Sequence, residues 1–171
     1  FKRIIDEIKN EGRYRVFIDI LRKSQNFPNA SWFEDGKSSK EDITVWCSND
    51  YLGMGQNPKV LEAMRIALDK CGAGSGGTRN ISGTTHYHVE LEKELASLHR
   101  KDSALLFTSG YISNEATLST LAGSLKDCIV FSDELNHSSM IQGIRASGAK
   151  KVIFKHNDIE DLNNKIKQFN K

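Results

Sequence analysis

The chain has 171 residues, with 24 basic and 22 acidic side chains and a net charge of +2. So even a balance argues against nucleic acid as its main partner, and no apolar run approaches the roughly 18 residues that a membrane span needs. At 38% hydrophobic and 27% charged residues, it has the composition of a globular protein long enough to build a real core.

Phe1, Ile4, Ile5 and Ile8 recur at helical spacing and predict a first helix that Gly12 ends. Tyr14, Phe17, Ile18 and Leu21 repeat the spacing and predict a second. Trp32-Phe33 and Ile43-Thr-Val-Trp46 read as short strands around the polar turn Asp35-Gly-Lys-Ser-Ser39, hence a hairpin. Asn57-Pro58 opens another helix, with Asn as cap and Pro at the first helical position, and Val60, Leu61, Met64, Ala67 and Leu68 form its apolar face. Then comes a thirteen-residue run, Gly72 to Thr84, with five glycines and the polar trio Thr78-Arg-Asn80. Glycine in such density costs backbone entropy, and it is kept where the chain must bend or approach something closely. With a fixed positive charge beside it, the run reads as a loop for an anionic small molecule; a flexible linker is the alternative.

Tyr87, Leu91, Leu95 and Leu98 mark a helix after the loop. Strand and helix then alternate: Ala104–Phe107 and Ile112–Ala122, Ile129–Phe131 and Met140–Ala146, Val152–Phe154 and a helix carrying Ile159, Leu162, Ile166 and Phe169. Continuous apolar strands alternating with helices predict a mostly parallel sheet with helices on both faces. The expected division is 1–56, a small segment of helices and hairpin, and 57–171, part of a larger α/β domain. The chain starts inside one helical stripe and stops on the polar side of another, so a piece of a longer protein is expected. Cys47, Cys71 and Cys128 lack metal-ligand spacing and read as buried or half-buried free thiols in a reducing compartment. No segment reads as a signal or transit peptide.

In parallel sheets ligands bind at the carboxyl ends of the strands. Thr108-Ser-Gly-Tyr111 follows a predicted strand and opens a helix; it is either a phosphate site made of free amides or an ordinary N-cap. Ser132-Asp-Glu-Leu-Asn-His137 is either a polar capping loop or a segment that brings the His137 imidazole to a ligand. Asn49 sits in a turn-forming stretch, where it exits a strand or offers its amide to a carboxylate. Arg13-Tyr-Arg15 starts a solvated helix or supplies a carboxylate clamp.

Together, Glu11–Arg15, Val45–Gly55, Gly72–Thr84, Ser132–Met140 and Phe154–Asp158 resemble, in order, signatures of the α-oxoamine synthases, a family of fold-type-I pyridoxal-phosphate enzymes. Ser-Gly-Gly-Thr-Arg-Asn-Ile-Ser-Gly-Thr is most similar to the branch that makes 5-aminolevulinate. The resemblance covers about Glu11 to Lys171 and implies the large-domain fold of that class. It also implies pyridoxal 5'-phosphate as cofactor, glycine and succinyl-CoA as substrates, and a homodimer, with no metal, nucleic acid or membrane. The compartment implied is the bacterial cytoplasm, or the mitochondrial matrix in a eukaryote. Ser109, Gly110 and Tyr111 match the turn that binds the cofactor phosphate, and His137 the histidine stacked on its ring. Asn49 matches the residue near the glycine carboxylate. Arg15, Thr78 and Asn80 match groups on the succinyl carboxylate, Ile81 the wall of the acyl pocket, and Ser132 and Lys151 further positions in the acyl-CoA site. The lysine that binds the cofactor covalently, and the aspartate that faces its pyridine nitrogen, are implied to lie beyond residue 171, so the segment alone is expected to be inactive. Another α-oxoamine synthase, or a non-catalytic module, is the alternative.

Overall fold

Lys2–Asn10 wind into α1, in accord with the spacing of their isoleucines. The computed structural model describes residues 1–34 and 36–169. The helix expected from Tyr14 to Leu21 does not form. Residues 13–18 have no helical turn, and Asp19–Arg22 are β1. Two reasons are visible. The stretch is rich in aromatic and β-branched residues (Tyr14, Val16, Phe17, Ile18, Ile20), which suit a strand. Two turns of helix are also too short to nucleate unaided, whereas β1 pairs antiparallel with β2 (Asn29–Glu34), Ile20 opposite Trp32 and Leu21 opposite Ser31.

β2 pairs in turn with β3 (Lys37–Thr44), so the expected hairpin is present and gains a third strand. Its register shifts between Ser31 and Phe33. Asp35 of the expected turn lies outside the described residues; Gly36 beside it has φ +75°. Ala30 on β2 is fully buried. α2 (Pro58–Cys71) starts as the sequence dictates: Asn57 accepts the Lys59 N–H at 2.9 Å and Pro58 fills the first position, where a missing N–H costs nothing. Cys47 and Cys71 are exposed and Cys128 is half-buried. The expectation of burial is therefore corrected for the first two, which lie in the irregular stretch after β3 and on the last residue of α2.

The chain divides into two compact units, Phe1–Gly74 and a second from Ser75 onward. α2 lies with the first, whereas the division at residue 57 assigns it to the second. The second unit begins with a wide helical turn (Arg79–Gly83), followed by α3 (His86–Leu98), α4 (Gly110–Ser124), β4 (Ile129–Asp133), α5 (Ser138–Ser147), β5 (Lys150–Phe154) and α6 (Ile159–Lys167). β4 and β5 are parallel, Ile129 opposite Lys150 and Asp133 opposite Phe154. With α5 between them they form a strand–helix–strand unit of the predicted kind. α4 lies on α5 at close range because of a glycine. A Cβ on Gly143 would come within 2.9 Å of the Glu115 carbonyl oxygen and of the Leu118 Cβ. Phe169, just past α6, meets the edge of Phe131 on β4 at 5.7 Å between ring centres. Lys165 of α6 donates to the Ile153 carbonyl at 2.7 Å.

The third predicted strand, Ala104–Phe107, pairs with no strand among the described residues. Its backbone is held by side chains instead, described below. No helix among the described residues is long and apolar enough to cross a membrane.

Candidate functional site

From Ser75 onward the glycine run is a built loop. After Gly76 (φ +74°) the chain makes one wide helical turn, Arg79–Gly83. The Thr78 carbonyl accepts the N–H groups of Ile81, Ser82 and Gly83, the last at 2.7 Å. The loop folds against itself at Gly83: a Cβ there would sit 1.8 Å from the Gly77 carbonyl oxygen, so only glycine fits.

Arg79 does not offer its charge to a ligand. Its Nη1 and Nη2 donate to the two carboxylate oxygens of Glu92 on α3, at 2.5 and 3.1 Å. Nη1 also donates to the Leu106 carbonyl at 3.1 Å, while Glu92 Oε1 accepts the Leu106 N–H at 2.7 Å. The ion pair thus satisfies both backbone groups of Leu106, as a neighbouring strand would. First the Arg79 guanidinium, then the Leu106 amide, hold the Glu92 carboxyl down at about 2. The fixed cation read from the sequence as part of an anion site is therefore committed to Glu92 and Leu106, although Arg79 still lines the pocket beside the loop. The loop's remaining recognition groups are Thr78, Asn80 and its amides.

Thr78 lines a pocket of about 400 Å³ whose other walls include His88, Leu106, Phe107 and Thr108. The loop is thereby brought beside the segment that leads into Ser109. Asn80 and Ile81 are exposed. His88 caps its own helix: Nδ1 accepts the Thr85 N–H at 3.2 Å and lies 2.8 Å from the Thr85 hydroxyl. Neither His88 nor Glu92 was a candidate in the sequence. Thr85-x-x-His88 has the spacing of a capping box with histidine in place of an acid, which was the one available signal.

Ser109 is the N-cap of α4. Its hydroxyl accepts the Ile112 N–H at 3.2 Å, and its carbonyl the Ser113 N–H at 3.0 Å. The Gly110 and Tyr111 amides then have no acceptor among the described residues, the usual condition of a helix's first turn. A Cβ on Gly110 would meet nothing within 4 Å. Open space, two unpaired amides and the positive end of a fifteen-residue helix fit a phosphate ester. Tyr111 stands edge-on to His137, ring centres 6.1 Å apart and planes at 73°. Two segments 26 positions apart in sequence are thus in contact.

His137 caps α5, its Nδ1 accepting the Ser139 N–H at 3.2 Å. Ser132 at the end of β4 is buried, and its hydroxyl accepts from Asn136 Nδ2 at 2.9 Å. Next to it Asp133 accepts the amides of Asn157 and Leu135 and lies 2.9 Å from His156 Nδ1. These bonds, the Asn157 amide first, hold its carboxyl below the usual range. Lys151 is exposed on β5, opposite Val130. In the N-terminal unit Arg15 and Asn49 are exposed, and Arg15 has no ion-pair partner among the described residues, whereas Arg13 is bonded to Glu11. Asn49 lies in a rigid turn: Ser48 accepts from Arg22 at 2.9 Å and from the Asp50 amide at 3.1 Å, and Asp50 accepts the Gly55 amide.

Residues 41–171 match the model of the aminotransferase class I and II family. The chain is 60% identical over 97% of its length to the 5-aminolevulinate synthase of Rhizobium meliloti (strain 1021) and covers 41% of that protein. It is 55% identical over 95% of its length to the 5-aminolevulinate synthase, non-specific, mitochondrial of Opsanus tau, covering 26% of it. Among solved structures it is similar to a serine palmitoyltransferase of Sphingomonas wittichii, with a TM-score of 0.82 at 29% identity, over 98% of this chain and 41% of that one. The chain therefore spans about two fifths of the length of its bacterial relative.

Proposed function

Since the chain belongs to the aminotransferase class I and II family, with the fold of a fold-type-I pyridoxal-phosphate enzyme, we propose that it forms part of a 5-aminolevulinate synthase. The reaction is condensation of glycine with succinyl-CoA to 5-aminolevulinate, coenzyme A and carbon dioxide. What carries this reading is 60% identity over 97% of the chain to a bacterial enzyme of that name. The contact between the helix start at Ser109–Tyr111 and His137 supports the cofactor half of it.

Bound pyridoxal phosphate supplies an electron sink that makes the glycine α-carbon acidic and nucleophilic. The chain's own residues bind and orient. The Gly110 and Tyr111 amides, with Ser109, receive the phosphate at the positive end of α4. His137 presents its flat ring to the cofactor. Asn49 offers its amide to the glycine carboxylate. A succinyl tail ends in a carboxylate, and its desolvation needs a cation and further donors. Arg79 is already paired with Glu92; the family resemblance assigns that cation to Arg15, the donors to Thr78 and Asn80, and an apolar wall to Ile81. The resemblance assigns Ser132 and Lys151 to the rest of the acyl-CoA site; of the two, Lys151 is the exposed one and Ser132 is buried against Asn136. The intact protein is a homodimer, in the bacterial cytoplasm or the mitochondrial matrix.

Turnover of the full-length protein tests this. Glycine with succinyl-CoA is expected to give 5-aminolevulinate, and serine with palmitoyl-CoA no product. The reverse preference would overturn the substrate assignment, and absence of a visible cofactor band would overturn the cofactor.

A further inference from the structure

His137 is held at one edge by a group that the proposed chemistry does not use. Ser139 is fully buried, and its hydroxyl lies 2.7 Å from His137 Nδ1. Asn114 of α4 donates from Nδ2 to the same hydroxyl oxygen at 3.1 Å. The Ser139 backbone N–H also points at Nδ1, at 3.2 Å.

These contacts fix where the hydrogens sit. Asn114 uses the Ser139 oxygen as an acceptor. A fully buried hydroxyl left without an acceptor for its own hydrogen is costly, because nothing replaces the water it lost. The acceptor within reach is Nδ1. A hydrogen on Nδ1 would collide with both the hydroxyl hydrogen and the Ser139 amide hydrogen. Nδ1 is therefore bare, and the neutral ring carries its hydrogen on Nε2.

We propose that Asn114 and Ser139 are positioning residues that lock His137 as the Nε2–H tautomer in one ring plane. Resting on the reading of His137 as the residue facing the cofactor ring, this means that the stacking platform is set before any ligand arrives. Tyr111 bounds the ring on another side, edge-on at 6.1 Å, so rotation out of plane is opposed from both α4 and α5. The device joins the two helices whose N-termini the site uses. The close approach at Gly143 brings α4 near enough for the Asn114 amide to reach the first turn of α5.

Two variants test it without changing volume much. Asn114→Asp keeps the shape, but a carboxylate cannot donate and takes the Ser139 hydrogen for itself. Ser139→Ala removes the hydroxyl. Full-length holoenzyme labelled with 15N at its histidines reports, by ring-nitrogen chemical shift, which nitrogen bears hydrogen. The expected result is an Nε2–H signal for His137 in the wild type, reduced to a mixture of tautomers in both variants, which lose the hydroxyl's hold on Nδ1 but keep the Ser139 amide. With it should come a weakened induced circular dichroism of the cofactor and a roughly 3- to 10-fold weaker cofactor affinity, the size of one lost hydrogen bond. An Nδ1–H wild type, or an unchanged tautomer in both variants, overturns the lock. A changed tautomer with unchanged dichroism and affinity overturns the positioning role. A wild type that binds no pyridoxal phosphate would instead overturn the proposed function, and the tautomer measurement would still decide the lock.

Discussion

Arg79 and Glu92 face each other through two parallel N–H···O bonds, and between them they occupy both backbone groups of Leu106. Thirteen positions apart in sequence, the two residues tie three segments together: the glycine loop, α3, and the stretch that leads into Ser109. The loop assigned to the acyl substrate and the turn assigned to the cofactor phosphate are thereby fastened to one ion pair. A charge that the sequence offers for binding is used for assembly.

This pair gives the protein an acid-sensitive element. The Glu92 carboxyl is depressed from 4.5 to about 2. A depressed acid binds fewer protons folded than unfolded, so its contribution to stability is full above its unfolded value and is lost as pH falls towards the folded one. Stability should decline between pH 4.5 and 2, and Asp133, also depressed, acts in the same direction. Glu92→Gln should flatten that decline while lowering stability at pH 7. Urea denaturation at a series of pH values checks both slopes. Equal slopes in the two proteins would mean that the pair contributes nothing.

Two glycines should behave oppositely when given a methyl group. At Gly83 the Cβ would fall 1.8 Å from the Gly77 carbonyl oxygen, so Gly83→Ala must open the loop. Overpacking of this kind costs on the order of 1–3 kcal/mol, and acyl-CoA use should fall with it. At Gly110 the Cβ has free space, and alanine favours a helix more than glycine does by up to about 1 kcal/mol. Gly110→Ala should therefore leave thermal stability equal or higher. Cofactor affinity should still drop, because the methyl would intrude where the phosphate is to approach the amides. Tm and cofactor titration on both variants give the comparison; unimpaired cofactor binding by Gly110→Ala would remove the phosphate from that turn.

Much of this was legible in local pattern. Asn57-Pro58 fixed the start of α2, and the alternation after residue 104 marked the α/β half and the carboxyl ends of its strands. The failures are non-local. Tyr14–Leu21 fits a helical stripe, but its backbone is claimed by β2, which the spacing does not reveal. Ala104–Phe107 has strand composition, yet its pairing groups are answered by the Arg79–Glu92 side chains, and no local rule connects positions 79, 92 and 106. The charge of Arg79 counted towards reading the loop as an anion site because glutamate at 92 gives no sign of being its partner. Asn114 and Ser139 were invisible for the same reason: the bond between them exists only once α4 packs on α5.

The two arginines make the last prediction, since the resemblance names Arg15 for the succinyl carboxylate and the structure shows Arg79, in the glycine loop, already bonded. Arg15 is exposed and has no ion-pair partner among the described residues; Arg79 is engaged by Glu92 and Leu106. Arg15→Leu in the full-length protein should therefore leave stability and the cofactor spectrum unchanged. It should raise the KM for succinyl-CoA roughly 10- to 100-fold, the worth of a charge-assisted hydrogen bond. Arg79→Leu strands a part-buried carboxylate, so it should lower Tm by several degrees and reduce kcat as the loop and the Ser109 turn lose their common anchor, with a smaller change in KM. A longer acyl-CoA without a terminal carboxylate supplies the control: Arg15→Leu should not impair its use, and Arg79→Leu should. If Arg79→Leu shows the selective loss for succinyl-CoA and keeps its stability, the ion pair opens in the working enzyme and Arg79 is the anion ligand after all.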